Sequence, residues 1–202
     1  FEWPRVGVLL GCGRGSGDGD AAGAAGAAAE AFDRLLQCVY LLVNAVGADP
    51  EGRIGENHSP ETHALPLLID TALGRRKNFS IFGNDYLTPD GTAVRDYIHV
   101  DDLANAHVLA LEHLLAAHDA LVLNLGTGTG CSVRELIDAV ERVSGRKVPV
   151  TDEARRPGDP PALVADPRLA QKTLGWRPSY TDIDAIIATA WKWHTEKNAG
   201  TQ

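Results

Sequence analysis

The stretch "GTAVRDYIHVDDLANAH" (91–107) decides how this chain is read. It sets Arg95 and Asp96 ahead of an aromatic, a histidine and two adjacent carboxylates, all just past a glycine turn. Three readings compete: a catalytic cluster, a binding strand that delivers one arginine to a ligand, or a strand running into a capped helix. Residues 93–100, "AVRDYIHV", alternate as a short strand, and with "FSIFG" (79–83) they flank the turn signal "TPDG" at 88–91. After them Asp101 or Asp102 caps a helix to about His118, with Leu103, Ala106, Ala110, Leu111 and Leu114 along its inner stripe. Adjacent carboxylates point in different directions, and one stands where a helix needs its cap, so capping is favoured over an acid–base pair.

Outward from this stretch the chain alternates strand-like and helix-like segments. Upstream, "VYLLVNAVG" (39–47) is a continuous aliphatic run ended by Asn44 and Gly47, which suits a strand buried on both faces. Then "ETHALPLLIDTALGRR" puts Leu65, Leu68, Ile69, Ala72 and Leu73 on one helical face, with Pro66 in the first turn and Gly74 closing the helix. Downstream, "ALVLNLG" (120–126) reads as another buried strand, and "SVRE" (132–135) is a capping box opening a helix to Ser144. A Pro-rich loop follows Val150. A short helix opens at "DP" (166–167) and stops at Gly175, and a last one runs from Thr181 with Asp184 at the capping-box position. Ile183, Ile186, Ile187, Ala190, Trp191 and His194 share its face, and docking suits Trp191 and Trp193 better than chemistry. This rhythm is that of a parallel α/β unit.

The bulk numbers bound what such a unit can be. The 202 residues are 44% hydrophobic and 23% charged, enough for one core of ordinary size. A net charge of −8 with scattered basic residues argues against a nucleic-acid surface, though a few placed arginines could hold a small anion. Cys12, Cys38 and Cys131 are odd in number and far apart, which excludes a disulfide framework and a zinc site of the usual spacing and suits a reducing, cytoplasmic location. No apolar run approaches the roughly 18 residues of a membrane span, so no membrane partner is expected. Residues 1–36 include the low-complexity "GCGRGSGDGDAAGAAGAAAEA" (11–31) and are expected to form a poorly ordered leader, with the folded region over 37–198. There is no methionine and residue 1 is Phe, so the chain is expected to be a fragment or a processed piece.

Few motifs carry chemistry. "GTGTG" (126–130) lies between a strand and a helix, where amides could cradle a phosphate, but it lacks the dinucleotide spacing and favours a tight structural turn. Among His99, His107, His113 and His118 only His107 and His118 lie near one face, across three turns, so they do not make a metal site. Two arginine positions remain: Arg95, and Arg155 with Arg156 in "RRPGD". Guanidinium forks bind phosphate oxygens bidentately and the nearby Asp could take a sugar hydroxyl; the alternative is an ordinary Arg–Asp pair.

The ordered strings "VNAVGADPEGRIGE", "HALPLL", "GRRKNFSIFGNDYLTPDGTAVRDYIHVDDLANAH", "NLGTGTGCSV", "RRPGDPPALVADP" and "LGW" resemble the carboxyl-terminal half of the UDP-glucose 4-epimerase family, over residues 43 to about 196. The resemblance implies an extended short-chain dehydrogenase/reductase: a partial NAD(P)-binding Rossmann-type α/β fold whose carboxyl-terminal part binds a UDP-sugar. In that family NAD accepts a hydride from the sugar while a Tyr-x-x-x-Lys tyrosine takes the hydroxyl proton, and the full-length enzymes are homodimers of galactose metabolism. Position by position, Asn44 is similar to an asparagine on the diphosphate, and Phe82 to the residue beside the uracil, with Ser80 contributing backbone. Arg95 and Arg156 are similar to the two diphosphate arginines, Asp159 to the carboxylate on the ribose, and Leu163 to the variable residue bounding the sugar pocket. By this resemblance His99 is structural. Two charge-assisted arginine contacts contribute ~1.5–3 kcal/mol each before desolvation and ordering costs.

Departures from the family pattern are equally informative. The residues four places after Tyr40, Tyr86, Tyr97 and Tyr180 are Asn44, Asp90, Asp101 and Asp184, so the sequence holds no Tyr-x-x-x-Lys, and it holds no strand-linked Gly-x-x-Gly-x-x-Gly. No catalytic, cofactor-binding or metal residues are therefore assigned, and NAD is expected by family only. The reading is an epimerase-family region that keeps UDP-sugar recognition and is inactive alone. Its alternatives are a non-catalytic sugar-nucleotide-binding fragment or a related nucleotide-sugar dehydratase or decarboxylase. Strand edges left open at 39–46 and 120–126 are expected to promote association or aggregation.

Overall fold

The computed structural model describes residues 44–116 and 121–196. The leader, Cys12, Cys38, His118 and the first part of the predicted strand at 39–46 lie outside them. Within them the order is β1 (Asn44–Val46), α1 (Ala64–Ala72), β2 (Phe79–Phe82), β3 (Val94–Arg95), β4 (Tyr97–His99), α2 (Val100–Leu115), β5 (Cys131–Ser132), α3 (Val133–Ser144), β6 (Val150–Glu153), β7 (Ala162–Leu163), α4 (Arg168–Leu174) and α5 (Ile183–Glu196). The α/β class is as expected, and three of the four strand pairings are parallel: β1 with β4, β2 with β6 and β3 with β7. Only β3 and β5 run antiparallel.

The helices form where their sequence signals put them. Leu65, Leu68, Ile69 and Ala72 of α1 are all buried, Pro66 falls in the first turn where no intrahelical donor is lost, and Gly74 follows the helix at φ +75°. The capping box of α3 is complete: Ser132 Oγ accepts from Glu135 N at 3.0 Å, and Glu135 Oε2 accepts from Ser132 N at 2.7 Å. Leu136, Ile137, Ala139 and Val140 then face α1 and α5 in the main core, which also takes in Ile186, Ile187 and Ala190. In α5 the expected capping role of Asp184 is not realised. Its carboxylate binds Arg142 of α3 at 2.7 and 3.1 Å, and Asp182 Oδ1 accepts from Asp184 N at 3.2 Å instead. A bidentate guanidinium outcompetes a backbone amide for a carboxylate that both can reach.

Two strand expectations are corrected. The predicted strand 93–100 is two short strands in different sheets, broken at Asp96, with β3 between β5 and β7 and β4 on β1. The segment 121–126 forms no ladder. It is extended and half-buried: Leu123 and Leu125 pack on a second, smaller core around Ile98, Ala106, Ala170 and Trp176, while Val122 stays 69% exposed. An apolar run supplies side chains for a core, but a strand also needs a neighbour for its amides.

The cap of α2 is likewise not a carboxylate. His99 is the N-cap, and its Nδ1 accepts from Asp101 N at 3.1 Å. Since Nδ1 accepts, the proton of the neutral ring sits on Nε2, which donates to Thr189 Oγ1 of α5 at 3.0 Å. Thr189 Oγ1 also accepts from Ala48 N at 3.0 Å and donates to Ile186 O at 2.8 Å, so every polar atom in this buried knot is used. Tyr180 stacks on the imidazole at 3.8 Å between centroids. Gly47, at φ +92°, lets the ring in, since a Cβ there would collide with it. Asp102 joins a different pair of segments. Its carboxylate accepts from Ser179 N at 2.7 Å and Tyr180 N at 2.9 Å, and its carbonyl accepts from Trp176 Nε1 at 3.0 Å. Trp193 donates to Glu56 O at 2.8 Å and covers Gly55, a docking contact.

Burial of His99 lowers its pKa from the usual 6.5, against the smaller opposing pull of Asp101 and Asp102. The sign follows from proton linkage: with the folded value depressed, the unfolded chain binds the proton more readily. Stability from the neutral ring is therefore complete above about pH 6.5 and lost as pH falls toward the folded value. Urea midpoints are expected to drop between about pH 7 and about pH 5, and His99→Gln, which cannot titrate, to make that slope shallower. A residual slope remains because burial pushes His194 in the same direction. Equal slopes for the two proteins would contradict this account.

Candidate functional site

The polar centre beside the break in the strand is Asp96, only 5% exposed. Its Oδ1 accepts from Thr127 N at 2.9 Å and Thr127 Oγ1 at 2.6 Å, and its Oδ2 from Gly128 N at 3.0 Å and Ala165 N at 3.2 Å. "GTGTG" is thus a turn whose Thr127 and Gly128 amides are spent on a carboxylate and whose Thr129 amide binds Thr127 Oγ1. Gly126 is required there because a Cβ would run into Asp96 and Ala165. The backbone on the other side of Asp96 is tied as well, with Asn44 Nδ2 donating to Asp96 O at 3.3 Å.

Anchoring Asp96 places its neighbour. Arg95 leaves β3 with its side chain 13% exposed, donates from Nη1 to Val94 O at 2.7 Å, and forms an ion pair with Asp159. Arg156, from the same loop as Asp159, lies over the ring of Phe82 at 3.8 Å. Its neighbour Arg155 is turned elsewhere, bonded to Asp85 at 2.6 Å and lying over Tyr86. Asn44, Ser80, Phe82, Arg95, Arg156 and Asp159 all line one open cleft of about 920 Å³, together with Arg76, His63, Tyr97 and Asp101. Leu163, which pairs with Arg95 in the β3–β7 register, is not among the residues lining it.

Two proton donors at or near the cleft are shifted by burial. Burial pushes the phenol of Tyr97 well above its usual range, so it stays protonated at neutral pH. Cys131, in a smaller cavity nearby, is pushed up to about 12 by burial, which favours the thiol over the thiolate at neutral pH. A dinucleotide needs a glycine-rich turn with free amides, and the turn at 126–130 fits poorly because Asp96 takes the amides of Thr127 and Gly128 and Thr127 Oγ1 takes that of Thr129. Arg76 and His63, which also reach the cleft, carry no motif that sequence inspection would single out.

Residues 26–126 match the family described as NAD dependent epimerase/dehydratase, and the match begins inside the Gly/Ala-rich stretch. The chain belongs to that family. It is similar to a UDP-glucose 4-epimerase of Rhizobium leguminosarum bv. trifolii, with 56% identity over 169 residues, 84% of this chain and 51% of the relative. Among solved structures it is similar to UDP-glucose 4-epimerase from Brucella ovis in complex with NAD, with 50% identity and a TM-score of 0.70 over 80% of this chain and 51% of that one. It is also similar to UDP-glucose 4-epimerase from Bifidobacterium longum in complex with NAD+ and UDP, with 38% identity and a TM-score of 0.72 over 84% and 52% of the two chains. The chain spans about half the length of the curated relatives it matches. No helix among the described residues is long and apolar enough to cross a membrane.

Asp96→Asn is the direct test of what holds the site together. It puts an amide N–H among four inward-pointing donors, and urea unfolding is expected to show a loss of about 2–4 kcal/mol. A change below about 0.5 kcal/mol, the range of ordinary surface substitutions, would show that the nest does not organise the cleft.

Proposed function

We propose that the cleft binds the nucleoside diphosphate of a UDP-sugar, and that this chain is the sugar-nucleotide-binding part of a UDP-glucose 4-epimerase. The observation that carries the reading is the convergence of Arg95 and Arg156, which come from a strand and a distant loop, on one cleft with Asn44, Phe82 and Asp159. Two guanidinium groups reach the charge and geometry of a diphosphate, an aromatic ring gives a nucleobase a flat apolar partner, and a carboxylate accepts from ribose hydroxyls. The Arg95–Asp159 ion pair and the Arg95 bond to Val94 O hold the first guanidinium in place before a ligand arrives, which lowers the ordering cost of binding. The relative from Bifidobacterium longum, 38% identical to this chain, is a complex with UDP, which supports the same ligand class.

In the family reaction NAD supplies the hydride acceptor. No hydride or proton step is assigned to the residues described above, whose work is to hold and orient the substrate. The sequence has no Tyr-x-x-x-Lys, so the 202-residue polypeptide by itself is proposed to bind without turnover.

Calorimetry of the chain with UDP, UDP-glucose and UDP-N-acetylglucosamine tests this. Binding to UDP is expected, with Arg95→Met and Arg156→Met each weakening it roughly tenfold to a hundredfold. Absence of UDP binding, or equal binding by the double variant, would overturn the reading. Epimerisation of UDP-glucose by the purified chain with added NAD would overturn the part concerning turnover.

A further inference from the structure

The loop that leads into α1, "ENHSPETH" (56–63), gathers side chains that no feature of the sugar-nucleotide reading needs together. His58, Glu61 and His63 each offer one ligand atom, and these atoms lie within 4.8 Å of one another. His63 Nδ1 is 3.3 Å from Glu61 Oε1, and His58 Nδ1 is 4.0 Å from the same oxygen. Ligands around a tetrahedral zinc-class ion, bound at about 2.0–2.2 Å, stand roughly 3.3 Å apart, so little more than a small rotation of His58 closes the set. The two imidazoles are already stacked, with centroids 5.4 Å apart. A second carboxylate, Glu56, is hydrogen-bonded to His63 Nδ1, which places a fourth protein donor atom beside the three.

Local structure pre-orders the carboxylate at the centre. Glu61 Oε1, the oxygen nearest both imidazoles, accepts from the amides of Thr62 and His63, both at 2.7 Å, so the side chain is folded back over the loop and only 16% exposed. Both histidines stay more than half exposed, which gives an ion an entry path. The two carboxylates, Glu61 and Glu56, together offset a divalent charge, and imidazole with carboxylate is the donor chemistry of zinc and its neighbours in the first transition row.

We infer that His58, Glu61 and His63, with Glu56 beside them, form a binding site for a divalent transition-metal ion of the zinc class at the edge of the cleft. Glu56 and His63 line the cleft wall, so the ion sits next to the space proposed to receive the nucleoside diphosphate. The site itself does not rest on that reading, because its donors are independent of Arg95 and Arg156.

The full chain, without an affinity tag, is titrated with Zn2+ against a competing fluorescent chelator and separately with Co2+ followed by visible absorption. One Zn2+ per chain is expected, together with cobalt ligand-field bands that lack the near-ultraviolet thiolate-to-metal transition. His58→Ala and His63→Ala are each expected to weaken binding by at least about tenfold, since even the loss of an outer partner costs that much. Glu61→Gln keeps an oxygen for the Thr62 and His63 amides and so preserves the loop, which far-ultraviolet circular dichroism checks, yet it is expected to lose affinity to the same degree. His107→Ala is expected to bind as the parent does. Absence of saturable uptake, uptake unchanged in both histidine variants, or a thiolate band marking the cysteines as ligands would each overturn the proposal.

Discussion

The carboxylate of Asp96 sits where three separated pieces of chain meet, and the geometry of the cleft depends on it. Its four accepted hydrogen bonds come from residues 127, 128 and 165, while its own carbonyl is held by Asn44. A buried carboxylate must be satisfied by donors, because leaving it bare costs far more than any single contact returns. Satisfying it here bends the chain out of a continuous strand, so that β3 and β4 join different sheets. One residue earlier, Arg95 is thereby aimed at the loop bearing Asp159, and one residue later, Tyr97 enters the main core.

A second buried polar knot fastens the helices to this frame. His99 closes α2, reaches Thr189 on α5 and stacks on Tyr180, while Asp102 in the next turn binds the amides of Ser179 and Tyr180. Both knots use side chains to satisfy backbone donors that no ladder covers, which is how a fold with very short strands accounts for its amides. The apolar cores on either side supply the nonspecific part of the stability, and the knots specify which arrangement of elements they stabilise.

Membership of the NAD dependent epimerase/dehydratase family fits the sugar-nucleotide role proposed for the cleft. The described residues provide cations, an aromatic ring and acceptors around an open space, and burial raises the pKa of Tyr97 on its wall and of Cys131 in a smaller cavity. A glycine-rich turn in this setting can be mistaken for a phosphate loop until its amides are followed to their acceptor.

Local signals were legible in the sequence because they act within a few residues. The capping box at Ser132 and Glu135, the apolar face of α1, the glycine stops at 74 and 175 and the ordered strings of the family resemblance can all be read without knowing what lies opposite. All seven binding candidates were named by that resemblance, and all but Leu163 line one cleft. Other assignments could not be read that way, since they depend on partners tens of residues distant. Asp96 finds its donors 31 to 69 positions away, His99 outcompetes Asp101 and Asp102 as cap because Thr189 orients its ring, and Asp184 leaves its capping position for an arginine 42 positions upstream. Periodicity and capping chemistry thus determined which segments become helices, whereas the competition of distant donors for a few buried acceptors decided where the strands break and which side chains face the cleft.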